Sequence, residues 1–324
     1  MKFDIIIGNP PYQLSDGGGN GTSAMPIYHL FIKQAMALKP RYLSMIIPSR
    51  WFSGGKGLDE FRESFLANRH IKKLVDFVNA KDCFPSSSIS GGVCYFLYDS
   101  AYEGDCEFTS IRDGGKSTAI RKLNQYPIFV RYNDAISIID KIKSVEKETV
   151  VKYVSARNVF GIQSTFKGHE KDNEHSYLVL TSSGERYASL AEITQGRASL
   201  GNYKVIISKL TSEHANEPTK DGTFTVISTI RLLRPQEACT DSYLLLFESD
   251  SETKAKNYIT YLRTKFYRFL LLQAISSVNL SRDKWQFIPE VDFNENWTDE
   301  KLFKKFGLTA DEAAYITSLM KEKN

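Results

Sequence analysis

Phe3-Asp4-Ile5-Ile6-Ile7-Gly8-Asn9-Pro10-Pro11-Tyr12 is the stretch on which the reading of this chain turns. An apolar run of strand type ends in Asn-Pro-Pro-Tyr. Two successive prolines lack amide protons and fix their own φ angles, so the strand cannot continue through them. The chain must leave the sheet at that point. The Asn9 side-chain amide, the Pro10 carbonyl and the Tyr12 ring are then presented together at a strand's carboxyl end, where open α/β sheets bind ligands. Two acceptors beside an aromatic face suit a planar amine.

Outward from this turn, the next residues, 13–21, are rich in glycine, with too little side chain to pack and much backbone freedom. They read as a flap beside the turn or as a plain connector. Pro26 to Leu38 reads as a helix, with Ile27, Leu30, Phe31 and Leu38 at helical spacing and Lys39-Pro40 ending it. Strands are expected over 42–47, 71–77 and 92–98, and a helix from Leu58 with Phe61 and Phe65 on one face. Gly54-Gly55-Lys56-Gly57 lacks the full phosphate-loop spacing, so nucleotide hydrolysis is not expected. Arg50 and Lys56, after the second strand, are candidates for DNA phosphate contacts, with plain surface charge as the alternative.

The Asn-Pro-Pro-Tyr turn after Phe-Asp-Ile-Ile-Ile-Gly resembles the catalytic motif of the N6-adenine DNA methyltransferases of restriction-modification systems, the TaqI-like gamma class. The resemblance implies that Asn9 and the Pro10 carbonyl accept hydrogen bonds from the adenine amine while Tyr12 stacks on a flipped-out base. An aromatic amine is a poor nucleophile until acceptors free its lone pair from conjugation, and the base must leave the duplex to be reached. By position and by its Phe-Pro context, Phe84 in the loop 82–92 matches the family's second stacking ring, though core packing would also suit it. The implied fold is α/β: a partial class I methyltransferase (Rossmann-like) sheet followed by a mixed α+β target-recognition domain.

The same family places its S-adenosylmethionine loop upstream of this turn, and here only Met1 and Lys2 precede the strand. The expectation is therefore a chain that resembles the C-terminal portion of a methyltransferase and lacks the main cofactor-binding motif. Its first strand then becomes an apolar sheet edge, a site for pairing with a complementary cofactor-binding chain or with a second copy.

At 324 residues the chain suits two domains of about 150 residues each. They are placed at 1–150, the catalytic part, and 151–324, the DNA target-recognition part. A helix is expected from Ile128 to Lys143 and a hairpin around Asp113-Gly114-Gly115. Beyond the boundary, β runs are expected at 158–166, 177–181, 203–208 and 224–230. The stretch 254–273 reads as one helix, with Tyr261, Lys265 and Arg268 on a face that could meet phosphates and Ile259, Leu262, Phe266 and Leu270 inward. Arg282 and Lys284 lie in a donor-rich continuation. Two short helices close the chain, one capped by Thr298 and one by a Thr309/Glu312 capping box.

Hydrophobic residues at 42% and aromatic residues at 12% are enough for packed cores, and the net charge of +4 permits DNA binding without demanding it. No apolar run approaches the roughly 18 residues of a membrane span. The opening Met-Lys-Phe-Asp has no secretory pattern, so a cytoplasmic location is expected. Cys83, Cys94, Cys106 and Cys239 read as free thiols. His29, His70, His169, His175 and His214 lack metal-ligand spacing, so no metal is expected. Other functions consistent with the residues are a DNA-binding specificity module without chemistry and a methyltransferase of protein glutamine amides. An endonuclease would need Glu252, Lys254 and Asp241 to form a cluster.

Overall fold

The computed structural model describes residues 3–14, 25–86, 89, 91–112, 114–212, 218–219, 221–275 and 279–323. The chain divides into two compact units, residues 1–137 in one and residues 138–214 and 218–324 in the other. The division falls inside a helix, α3 (Asp134–Val145), whose buried Ile138, Ile139 and Ile142 belong to the second unit. The glycine-rich flap expected after Gln13 lies largely outside the described residues.

The first unit is built on β1 (Ile5–Gly8), α1 (Tyr28–Ala37), β2 (Tyr42–Pro48), α2 (Asp59–Leu66), β3 (Ile71–Phe77), β4 (Val93–Asp99), β5 (Cys106–Arg112) and β6 (Gly115–Arg121). The six strands form one mixed sheet in the order β1-β2-β4-β3-β5-β6. β1 and β2 run parallel, as do β3 and β5, and β4 is antiparallel to both of its neighbours. Strand alternation sends Leu43, Met45 and Ile47 to one face, where they join Leu74, Phe96 and Phe108 and are covered by Tyr28 and Ile32 of α1 and Phe61 and Phe65 of α2.

Helix α1 turns a different face inward from the one its apolar spacing suggested. Tyr28, Ile32 and Ala35 are buried, whereas Leu30, Phe31 and Leu38 are exposed. Apolar residues lie nearly all round this helix, so periodicity alone does not choose the buried side. The opposite sheet face is open. One row of neighbours crosses it as Ile7, Ser44, Leu97, Lys73, Glu107 and Ile120, with Ile7 78% and Ile120 75% exposed. Helix α3 starts six residues later than expected. Residues 126–132 are non-helical and, Pro127 excepted, buried, because their side chains pack into the core instead of forming a helix face.

The second unit holds β7 (Tyr177–Thr181), β8 (Gly184–Ala188), β9 (Tyr203–Ser208), β10 (Ile230–Leu233), β11 (Glu237–Cys239) and β12 (Tyr243–Ser249), in two three-stranded sheets ordered β10-β9-β12 and β11-β7-β8. The runs at 177–181 and 203–208 are strands as read. The run at 158–166 forms turns, and that at 224–230 contributes only isolated bridges before β10.

Besides most of α3, the described residues of this unit form four helices: α4 (Glu252–Arg263), α5 (Lys265–Ala274), α6 (Asp299–Lys305) and α7 (Ala310–Leu319). The single helix expected over 254–273 is therefore two. Thr264 breaks it with an extended backbone, and its hydroxyl accepts the Tyr267 amide at 3.1 Å, while the Asp299 carboxylate takes the amides of Lys265 and Phe266 at 3.1 and 2.8 Å. Thr298 caps α6, and the Thr309/Glu312 capping box of α7 is formed.

Candidate active site

Asn9, Pro10 and Tyr12 sit where the strand-breaking prolines put them, just past the carboxyl end of β1. Pro10 is buried, Asn9 is exposed, and the Asn9 side chain makes no hydrogen bond to another described residue. Tyr12 is half-buried against the first unit's core. Its carbonyl accepts the Ile27 amide and the Leu14 amide reaches Met25, both at 3.1 Å, so the turn is clamped at the base of the segment that succeeds it.

The Tyr12 hydroxyl is buried without a hydrogen-bond partner among the described residues, and so is that of Tyr28. Burial pushes the Tyr12 phenol above its usual pKa, with the Cys83 and Cys94 thiols adding to the effect. Both phenols are thus held neutral in a weakly polar floor. Phe84 is half-buried and its amide donates to the Ala80 carbonyl at 2.8 Å.

Beneath this corner lies a network that the sequence reading missed. Ser49, directly after β2, donates its hydroxyl to Asp76 Oδ1 at 2.6 Å, and Arg131 clamps both Asp76 oxygens at 2.8 and 2.9 Å. Asp76 is fully buried at the end of β3. Breaking such a pair by removing one partner costs about 3–5 kcal/mol, because an uncompensated charge stays in the core. Gly92 packs onto this network with φ +86°. A Cβ there would meet the Phe77 carbonyl oxygen at 2.2 Å and Arg131 Nη2 at 2.9 Å. An aspartate inside the apolar run Leu74-Val75-Asp76-Phe77 was the available signal, since a charge in a buried strand requires a partner.

Arg50 is exposed, and Lys56 is half-buried at φ +50°, both beyond the carboxyl end of β2 and so on the same sheet border as Asn9. The adjoining glycines form no phosphate cradle: the Gly55 amide is taken by Asp59 Oδ1 at 2.9 Å and the Gly54 amide by the Trp51 carbonyl.

The basic candidates of the second unit fare differently. Arg268 is 1% exposed, with Nε donating to the Arg263 carbonyl, and Tyr261 is fully buried. Lys265 is largely covered and pairs with Glu322, and Lys284 is buried beside Asp283. These residues do not form a phosphate-binding face, because the break at Thr264 turns α5 so that it is surrounded. Arg282 is exposed, with Nε donating to the Val151 carbonyl at 3.1 Å. Cys94, Cys106 and Cys239 are buried free thiols, and Cys83 is a half-buried one. No described helix is long and apolar enough to cross a membrane.

Residues 1–84 match the family of Eco57I restriction-modification methylases. The match contains Asn9, Pro10, Tyr12 and Phe84. Over 123 residues, 37% of the chain and 29% of the relative, the sequence is 44% identical to an uncharacterized adenine-specific methylase of Mycoplasma pneumoniae, strain ATCC 29342 / M129. The chain thus spans less than a third of that relative's length. Among solved structures it is similar to the type IIG restriction endonuclease BpuSI, at 11% identity and TM-score 0.38 over 97% of this chain and 49% of that one. It is also similar to the type IIL restriction-modification enzyme MmeI, solved in complex with DNA, at 10% identity and TM-score 0.43 over 86% of this chain and 45% of that one.

Proposed function

We propose that this chain carries the amine-binding half of the active centre of a DNA adenine-N6 methyltransferase of a restriction-modification system, together with a C-terminal target-recognition domain. The observation that carries the reading is the uncommitted Asn9 side chain at the end of β1, above a half-buried Tyr12, inside the methylase match. In this reading Asn9 Oδ1 and the Pro10 carbonyl accept the two amine protons of an extruded adenine, which localises the nitrogen lone pair for attack. Tyr12 and Phe84 hold the base between two rings, each stack contributing roughly 1–3 kcal/mol. Arg50 and Lys56 contact phosphates flanking the extruded nucleotide. The sheet is read as the matching part of a class I methyltransferase, Rossmann-like sheet.

S-adenosylmethionine, when bound, supplies the methyl group. Asn9, Pro10 and Tyr12 offer two acceptors and a ring for the amine and no carboxylate for ribose hydroxyls, and we assign the donor site to a further polypeptide segment docked along β1. The distribution of exposed apolar groups supports this assignment: of fourteen exposed large hydrophobic side chains among the described residues, nine lie within residues 3–42. They include Ile5 and Ile7 of β1 and Leu30, Phe31 and Leu38 of α1.

The test is methylation mapping of host DNA in cells whose only copy of the gene carries Asn9→Ala. Loss of transition-state acceptors of this kind costs about 100-fold or more in rate. N6-methyladenine should therefore disappear from one recognition sequence while the protein accumulates normally. Unchanged methylation would remove Asn9 from the reaction and with it this reading.

A further inference from the structure

Three side chains of the second unit, His169, His175 and Glu192, converge beside β8. His169 is fixed by a pair of backbone hydrogen bonds with Tyr187, at 2.9 and 3.0 Å. His175 lies at the end of a tight turn whose Asp172 carboxylate accepts the backbone amides of Glu174 and His175. Glu192 uses one carboxylate oxygen to hold the amide and hydroxyl of Ser189, at 2.8 and 3.1 Å, and points the other at His169 Nε2, 2.9 Å away. The two imidazoles stack with centroids 3.8 Å apart and planes inclined by 23°.

We propose that His169, His175 and Glu192 are the protein ligands of a divalent transition-metal ion of the zinc type, with an open fourth position for water. One atom from each residue lies within 4.8 Å of the other two. Around tetrahedral zinc, with bonds near 2.0–2.1 Å, ligand atoms stand about 3.3 Å apart, so a pair at the outer limit must close by about 1.5 Å while the His169–Glu192 pair, at 2.9 Å, must open slightly. Two imidazoles with one carboxylate match zinc better than magnesium or calcium, which take oxygen ligands.

Asp172 lies 2.9–3.0 Å from His175 Nδ1, and a ring proton held there makes Nε2 the ligating nitrogen in the proposed site. A carboxylate behind a histidine ligand in this way fixes ring orientation and raises basicity. His169 and Glu192 already share one proton-sized gap, which an ion would widen. Imidazole lone pairs lie in the ring plane, so the stacked rings must splay further for both to meet one ion, a rotation that the exposed side of His169 permits. The ion would then tie the turn at 169–175 to the turn at 189–192.

The experiment is calorimetric titration of zinc into the untagged full chain at pH 7.5, with magnesium as control and melting temperature as a second readout. Expected are one zinc per chain, a melting temperature raised by zinc and restored by chelator, and no response to magnesium. Affinity should fall at least 10-fold in His175→Ala and in Glu192→Gln, and by about 10- to 100-fold in Asp172→Asn, which keeps the turn's size and only loosens the tautomer. Near-UV circular dichroism establishes that each variant is folded. Binding by the wild type no tighter than by folded His175→Ala, or an affinity unchanged by Glu192→Gln, would overturn the site.

Discussion

Two apolar segments, Ile5–Gly8 and Lys265–Ala274, meet opposite fates. In α5 every residue from Phe266 to Ala274 is buried, whereas in β1 Ile5 and Ile7 are 59% and 78% exposed. The difference lies in what the rest of the chain supplies. Phe266 stacks on Phe306 at 5.2 Å, Phe269 meets Tyr315 edge-on, and the Tyr267 hydroxyl accepts Trp285 Nε1 at 2.7 Å while bonding Tyr258. Among the described residues β1 has one partner strand, β2, and one packed face, that of Ile6. A single apolar group left in water is ordinary, but an exposed apolar strand edge is the feature on which the proposed docking of a further segment rests. The second unit is sealed around α5, and the first is open along β1.

The largest effect that would break this contrast is at α5. Phe269→Ala removes a fully buried ring and should cost about 3–5 kcal/mol, read as a lower urea midpoint at unchanged slope. A loss below about 1 kcal/mol would mean that α5 is less enclosed than its burial indicates.

A second, intermediate test asks whether the sealed unit also holds its polar groups tightly. Lys204 is fully buried, and its ammonium donates to the carbonyls of Ser199, Asn202 and Arg234 at 3.1, 2.7 and 3.1 Å. Burial pushes its pKa down to about 8, with Glu237 and Glu248 opposing the shift. An unfolded lysine titrates near 10.4. Between these values the unfolded chain binds more protons than the folded one, so stability contributed through Lys204 rises as pH goes from 8 toward 10.4. Unfolding followed over that range should show the rise in the wild type and lose it in Lys204→Met. The three carbonyl acceptors favour the ammonium, and a flat wild-type profile would show that they cancel the desolvation.

The parts legible in sequence were those decided by local chemistry. Pro10-Pro11 ends a strand whatever surrounds it, and Thr309 with Glu312 caps a helix for the same reason. The runs at 177–181 and 203–208 alternate or concentrate apolar residues strongly enough to stand as strands. What escaped reading depends on partners far along the chain. Asp299 is needed to cap α5 and so to break the helix at Thr264, and that break buries Arg268, which the helical wheel had put at the surface. Asp76 meets Arg131 across 55 residues. His169 and His175 are six apart, yet Glu192 completes their cluster only because β7 and β8 fold back on each other. Helical periodicity could not orient α1, since a helix that is apolar on both sides is consistent with one core and one docking surface.

The smallest expected effect on stability gives the sharpest test of the contrast. Ile7→Lys puts a charge on the open sheet face, where Ile7 has lost little contact with water, so unfolding free energy should change by no more than about 0.5 kcal/mol. Association is a different matter. A lysine within a strand edge is a device that natural sheets use to prevent pairing, and burying an unpaired ammonium against a docked segment is strongly unfavourable. In the native host, Ile7→Lys should lower N6-methyladenine at the recognition sequence at least 10-fold with the protein level unchanged. The β1 amides of wild-type protein isolated from that host should exchange slowly when the completing segment is present and fast without it. Full methylation by Ile7→Lys would mean that the β1 edge is not where the active centre is completed. That result would leave the Asn9 reading intact, because Asn9 acts through its side chain beyond the strand's end and Ile7 through the face behind it.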